Sequence, residues 1–378
     1  MVEPLFRGQG PGSRSDDFYP VRHWLSKSRE GYTFPALVIE SEIDQIRVSW
    51  TNQDLPAHKA ELISEGSTYL SAARFQEALA AFIEKVVGRL DERGVTGTFL
   101  QDEWRAIQDA DDEERAFCAA AGALGLDPYS LDDDLRGAIE DAGNTLPQAL
   151  QNEFFAAVDV PSLVASAKQL GAALEMVRGT GAQLQPLIDL RIRARGRLWA
   201  VLQSDQAPWL SGYQAARLVR SELSLDGNPV ASFDELGDHL GLDPSELDSS
   251  IVRAELPRSL DAAVSANALG SPGFALRSGL PDHARRYHFC RALLEFLAQG
   301  EPQTSLVSSA ASYSQKVNRA FAAELLAPAA GISERLQRRA IVSFEDIDEL
   351  AAHFGVAPLV IEHQIQNHNL AYIASALS

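Results

Sequence analysis

Cysteine is scarce in this chain, with Cys118 and Cys290 the only two among 378 residues. That excludes a disulfide framework and a cysteine-rich zinc knuckle. Long apolar runs are missing too. Nowhere do about 18 apolar residues follow one another, so no membrane-spanning helix is expected. Positive charge is in deficit, with 33 Lys and Arg against 52 Asp and Glu and a net charge of −19. Phosphate binding needs concentrated cations, so nucleic acid is not expected as a partner. Several catalytic signatures are also missing: G-x-S-x-G, a Walker loop, G-x-G-x-x-G after a strand, and H-E-x-x-H. The first twenty residues lack an apolar signal core and read as a polar, flexible leader. A cytoplasmic, bacterial-type protein is the simplest reading of these absences.

What is present suits buried cores. Hydrophobic residues make up 46% of the sequence, and the length allows two or three domains. Alternation over Tyr32 to Trp50, with a polar break at Glu40 to Asp44, predicts a β-hairpin. Helical spacing dominates afterwards. Phe75, Leu79, Phe82, Ile83, Val86 and Leu90 form one stripe, stopped at Arg93-Gly94. Asp111 to Glu114 place acids at the start of the next helix, where its dipole favours them. Asp132-Asp133-Asp134 lack the alternating ligands and central glycine of a calcium loop, and read as a solvated cap. A long helical stretch from Thr145 to about Trp199 is broken near Pro161, Gly179 and Pro186. Its basic run, Arg191 to Arg197, reads as a solvated helix face. The fold class is mainly α (α+β). The expected organisation is a leader at 1–20, a hairpin-plus-helix module at 21–100, a helical middle region at 101–206, and a C-terminal domain at 207–378.

A short pattern recurs. Leu124-Gly125-Leu126-Asp127-Pro128 returns as Leu240-Gly241-Leu242-Asp243-Pro244, and in variant form as Phe354-Gly355-Val356-Ala357-Pro358. Each copy predicts a helix, a glycine stop and a proline starting the next helix. The last copy, with Glu349 to Ile365, has the layout of the first two helices of a helix-turn-helix. Its second helix offers Gln364, Gln366 and Asn367 but no cation for phosphate, so packing is the preferred reading.

Two helices between Asp282 and Pro328 carry the most specific pattern. The first contains Arg285-Arg286-Tyr287, and the second runs F-A-A-E-L-L-x-P from Phe321 to Pro328. Together they resemble the core of the ImmA/IrrE metallo-endopeptidase family, which implies a zincin-like fold for residues 207–378. A short strand precedes the metal-site helix in that family, and Gly270 to Leu280 is the segment that would supply it.

The resemblance also says where chemistry belongs. A zinc peptidase of this kind needs two His at i and i+4 and a Glu beside the first. Laid on this chain, those positions fall on Arg291, Ala292 and Glu295, and the later ligand falls on Val317. Arginine stays protonated and cannot ligate; alanine and valine offer no lone pair. The metal site is therefore expected to be absent, with Arg291 and Glu295 forming an i,i+4 salt bridge in its place. A relocated metal would have to use His283, His288 and Glu295, although His283 and His288 stand five residues apart on different helical faces.

The resemblance implies a catalytically inactive regulatory protein that uses no cofactor. Its partner would be a protein, such as a helix-turn-helix repressor, in a stress, mobile-element or phage-response circuit. Two alternatives are an active peptidase with a relocated zinc that cleaves a repressor, and a helix-turn-helix transcriptional regulator.

Overall fold

In the computed structural model, the described residues are 24–25, 35–42, 45–55, 60–180, 183–204, 206–267, 271–299, 304–337 and 339–374. The leader expected at 1–20 lies outside them. The structure is mostly helical with some antiparallel sheet, an α+β class. Among the described residues no helix is long and apolar enough to cross a membrane. Contacts divide the chain into two units, 1–139 and 140–378. The segment boundaries read at 100/101 and 206/207 fall inside these units.

In the first unit, the alternating stretch forms β1 (Ala36–Glu42) and β2 (Gln45–Thr51). They pair antiparallel, from Ala36 opposite Thr51 to Glu42 opposite Gln45. β3 (Gln53–Leu55) and β4 (Ala60–Leu62) form a small ribbon, and β5 (Gly66–Ser71) adds to β2 as a third strand. The predicted helical stripe becomes α1 (Ala72–Glu92), followed by α2 (Phe99–Asp109) and α3 (Asp112–Ala123). Thr98 and Gln101 form a reciprocal capping box on α2. Asp111 caps α3, accepting from the Glu114 amide at 2.8 Å. The division between units falls within α4 (Asp133–Thr145).

The second unit is built on a four-stranded sheet of β6 (Ile251–Ala254), β7 (Leu260–Ala266), β8 (Pro272–Arg277) and β9 (Ser305–Ser308). Strand order is β6-β8-β7-β9, with only the β6–β8 pair parallel. Nearly every residue of β7 and β8 is buried, as expected for strands covered on both faces. Neighbours Gly273 and Phe274 show what covers each face, because adjacent strand residues point to opposite sides. A Cβ at Gly273 would lie 2.7 Å from Val177, on α6 (Leu163–Arg178). Phe274 instead meets Phe289 of α11 (Asp282–Ala298), ring centroids 4.9 Å apart and both rings fully buried. Each ring so buried contributes about 1.5–3 kcal/mol.

The remaining helices wrap this sandwich. α5 (Gln148–Ala157) lies against β9, and α7 (Gln185–Leu202) packs on both α8 (Pro208–Glu222) and α11. α9 (Phe233–Leu240) and α10 (Pro244–Ser250) lead into β6. α12 (Tyr313–Leu326) runs beside α11, followed by α13 (Ala329–Leu336), α14 (Phe344–Phe354) and α15 (Pro358–Asn367). β10 (Ile341–Val342) and β11 (Tyr372–Ile373) form a short parallel pair. α8 approaches α12 closely enough that a Cβ at Gly212 would collide with the Val317 carbonyl and lie 2.7 Å from the Ala320 Cβ. Glycine is obligatory at that crossing.

The recurrent pattern behaves as its residues dictate. Gly125, Gly241 and Gly355 all take positive φ, between 61° and 74°, a conformation nearly free for glycine alone. Asp243 and Glu246 make a capping box, and Pro244 and Pro358 open their helices.

Candidate functional site

The helix where the resemblance implies catalytic histidines carries a buried arginine. Arg291 is 2% exposed. One of its Nη atoms donates to Asp261 Oδ2 at 2.8 Å. The other donates to the Ser308 carbonyl at 2.6 Å and to Gln315 Oε1 at 2.7 Å. Asp261 sits on β7, Ser308 ends β9 and Gln315 opens α12, so one side chain ties three elements to α11. Gln315 closes the ring by accepting from the Ser308 amide at 3.0 Å and donating to the Leu306 carbonyl at 2.8 Å. A charge so deep in the protein is tolerable only with such partners.

The salt bridge expected between Arg291 and Glu295 is not formed. Arg291 turns to Asp261, which Arg277 also holds at 3.2 Å. Burial explains the choice, because the deeper carboxylate offers Arg291 a partner away from water. Glu295 accepts instead from Asn318 of α12 at 2.5 Å. Ala292 is fully buried and Val317 is 4% exposed, its carbonyl against Gly212. Of these four positions only Glu295 carries lone-pair oxygens, and a single carboxylate does not hold zinc. The residues present do not fit the metal of the resembled family.

His288 lies 3.4 Å from an Arg291 Nη and 3.5 Å from Asp261. Burial pushes it down to about 4; Asp261 pulls the other way, but Arg291, Arg277 and Arg319 reinforce burial. His288 is thus neutral at neutral pH, and its Nδ1 stands between the Arg291 donor and the Asp261 carboxylate. The relocated metal set fails on geometry. His283 is exposed on the first turn while His288 points inward, since five residues turn a helix well past one face. Among the described residues no group of three or more His, Cys, Asp or Glu is placed to hold a metal.

Glu153, on α5, completes the cluster. It accepts from Ser308 Oγ at 2.5 Å and from Ser312 Oγ at 3.1 Å. Burial raises its carboxyl to about 7; the two serine hydrogen bonds oppose this, and nearby Glu295 adds to it. Arg319 donates to the Ala310 carbonyl at 2.6 Å beside them. Sequence reasoning missed both Glu153 and Asp261. An aspartate inside the otherwise apolar Leu260-Asp261-Ala262-Ala263-Val264 was the available signal, since a buried carboxylate demands a partner. Glu153 carried no such mark.

The residues that carry the resemblance have structural roles. Arg286 is buried and donates to the Gly355 carbonyl, Arg285 lies 4.7 Å over the Phe233 ring, and Tyr287 donates to the Arg319 carbonyl at 3.1 Å. Cys290 is fully buried, and burial pushes its thiol up to about 12, so it is inert. Glu324 of F-A-A-E-L-L-x-P is 2% exposed. It accepts from Arg217 of α8 at 2.8 Å, from the Ala329 amide at 3.1 Å and from Gln364 of α15 at 2.8 Å, with His368 at 3.5 Å. Burial alone would raise Glu324, but the bonds from His368, Arg217 and Ala329 prevail and hold it below its usual value. Gln364 is fully buried and also donates to the Ala327 carbonyl at 2.8 Å. Gln364 therefore packs inside the unit and does not face solvent.

In the basic run, Arg191 covers the Phe296 ring at 4.9 Å, while Arg193 and Arg197 pair with Glu222. The run is therefore partly a packing device. No family model, curated protein or solved structure matches this chain.

Proposed function

We propose that residues 207–378 form a degenerate ImmA/IrrE-type domain, zincin-like in scaffold and catalytically inactive, which acts as a regulatory module binding a protein partner. The observation that carries this reading is the state of Arg291. At the position of the first metal ligand, a cation locks β7, β9, α11 and α12 together through Asp261, Ser308 and Gln315. Ala292 removes the general base and Val317 the later ligand. The residues around the former centre hold the scaffold rigid without hydrolytic chemistry.

The resemblance supplies the setting, a bacterial intracellular circuit of stress, mobile-element or phage response, with a helix-turn-helix repressor as the partner class. Zinc quantitation on the purified chain, paired with a peptidase assay on a repressor substrate, tests the reading. The expected result is neither stoichiometric zinc nor cleavage, with repressor binding unaffected by a chelator. Stoichiometric zinc that disappears in His288→Ala would overturn it.

A further inference from the structure

We propose that the apolar stripe of α1, edged by Lys85, Arg89 and Arg93, is a docking surface for an acidic amphipathic segment of a partner protein. This stands on the first unit and is independent of the preceding reading. α1 spans 21 residues and none of them is buried. Phe82 is 64% exposed and Leu79 44%, on the stripe that also carries Phe75, Val86 and Leu90. Among the described residues of the unit, the buried apolar side chains are Ile46, Ala120, Ala121 and Ile139. So thin a core leaves Leu79 and Phe82 exposed on the stripe beside the half-buried Phe75, Val86 and Leu90, and exposed apolar strips mark interaction sites.

The charges say what covers it. At about 100° per residue, Lys85 and Arg89 run along one edge of the stripe, and Glu77, Glu84 and Asp91 lie on the far side. Lys85, Arg89 and Arg93 line a depression of about 360 Å³ floored by Val86 and Leu90. Arg89 contacts Glu92 at 2.6 Å, but both side chains are more than half exposed. Such a pair is weak and leaves the guanidinium free to exchange partners. An apolar floor with a cationic rim selects an apolar ridge with an acidic rim, the helix-in-groove mode.

A second copy is the poorer occupant. Antiparallel pairing would set the Lys85–Arg89 edge against itself. Parallel pairing would set it against Gln76, Ala80 and Val87, which bring no acid. An anionic membrane fits poorly as well, because interfacial helices carry cations on the polar face and this one carries Glu77, Glu84 and Asp91.

The test uses the full chain and two fluorescein-labelled helical peptides. Both carry a leucine stripe, edged by Glu in one and by Lys in the other, and binding is read by anisotropy. The acidic probe is expected to bind at least about tenfold more tightly, with affinity falling steeply as salt rises. The double variant Lys85→Glu, Arg89→Glu should invert that preference. Phe82→Ser should weaken the acidic probe by about tenfold or more without moving the unfolding midpoint, because an exposed side chain is removed. Equal binding of the two probes, or none, overturns the proposal. So does light scattering that finds a dimer dissociated by Phe82→Ser, or phosphatidylserine vesicles that bind the chain through Phe82.

Discussion

Replacing Glu153 by Gln should stabilise this protein at alkaline pH and leave it nearly unchanged in acid. Glu153 is held by Ser308 and Ser312, and burial moves its carboxyl from the ordinary glutamate value of 4.5 to about 7. Because the folded-state value is raised, the folded protein retains a proton that the unfolded chain has already lost between pH 4.5 and 7. Stability from this group is fully present below 4.5 and drains away as pH rises through about 7. At about 1.4 kcal/mol per tenfold change in proton affinity, the full loss is roughly 3 kcal/mol. Glutamine keeps the shape and the acceptor for one serine, carries no charge, and has no such penalty. Urea denaturation of both proteins from pH 4 to pH 8.5 measures the difference, in which the other titrating groups cancel. The gap should open from near zero to roughly 3 kcal/mol in favour of Gln. A gap that stays flat with pH, or a variant less stable at pH 8.5, refutes the buried-proton account.

Two further outcomes follow from the same interior. Arg291→Ala leaves Asp261, Gln315 and the Ser308 carbonyl short of a donor, so the unfolding free energy should fall by about 3–5 kcal/mol. A loss below about 1 kcal/mol in chemical denaturation would mean that the arginine is not the tie between β7, β9 and α12. Glu324→Gln removes charge-assisted acceptance from Arg217 and should cost about 1.5–3 kcal/mol at pH 7. Since Glu324 is held below its usual value, its contribution is present above the unfolded value near 4.5 and is lost as pH falls through the lower folded value. The deficit of the variant should therefore shrink in acid, which hydrogen exchange on the 321–329 segment at pH 7 and pH 3.5 will show.

Helix stops, caps and the hairpin are local physics, and each is legible in a few consecutive residues. Gly241 and Gly355 stop helices because positive φ suits glycine. Alternation between 36 and 51 builds β1 and β2 because strand side chains repeat every two residues. The incompatibility of Arg291, Ala292 and Val317 with zinc is equally local, a matter of which atoms carry lone pairs. The partner of Arg291 was not legible. An i,i+4 carboxylate on its own helix is the natural choice from spacing, yet the side chain reaches Asp261, thirty residues earlier. The same holds for Gln364, whose exposure on an isolated helix says nothing about its burial against Glu324.

The sequence by itself thus determined the helical character, the turns and the unsuitability of Arg291, Ala292 and Val317 as zinc ligands, because propensity, capping and ligand type belong to single residues or short spacings. Only the tertiary structure decided that β7 and β8 are covered on both faces, and that Glu153 keeps company with Ser308. It also decided that Glu324 binds α8, α13 and α15 together, while Leu79 and Phe82 of α1 stay exposed. Burial and the choice of hydrogen-bond partner depend on chain segments far apart in sequence, and no local pattern carries that information.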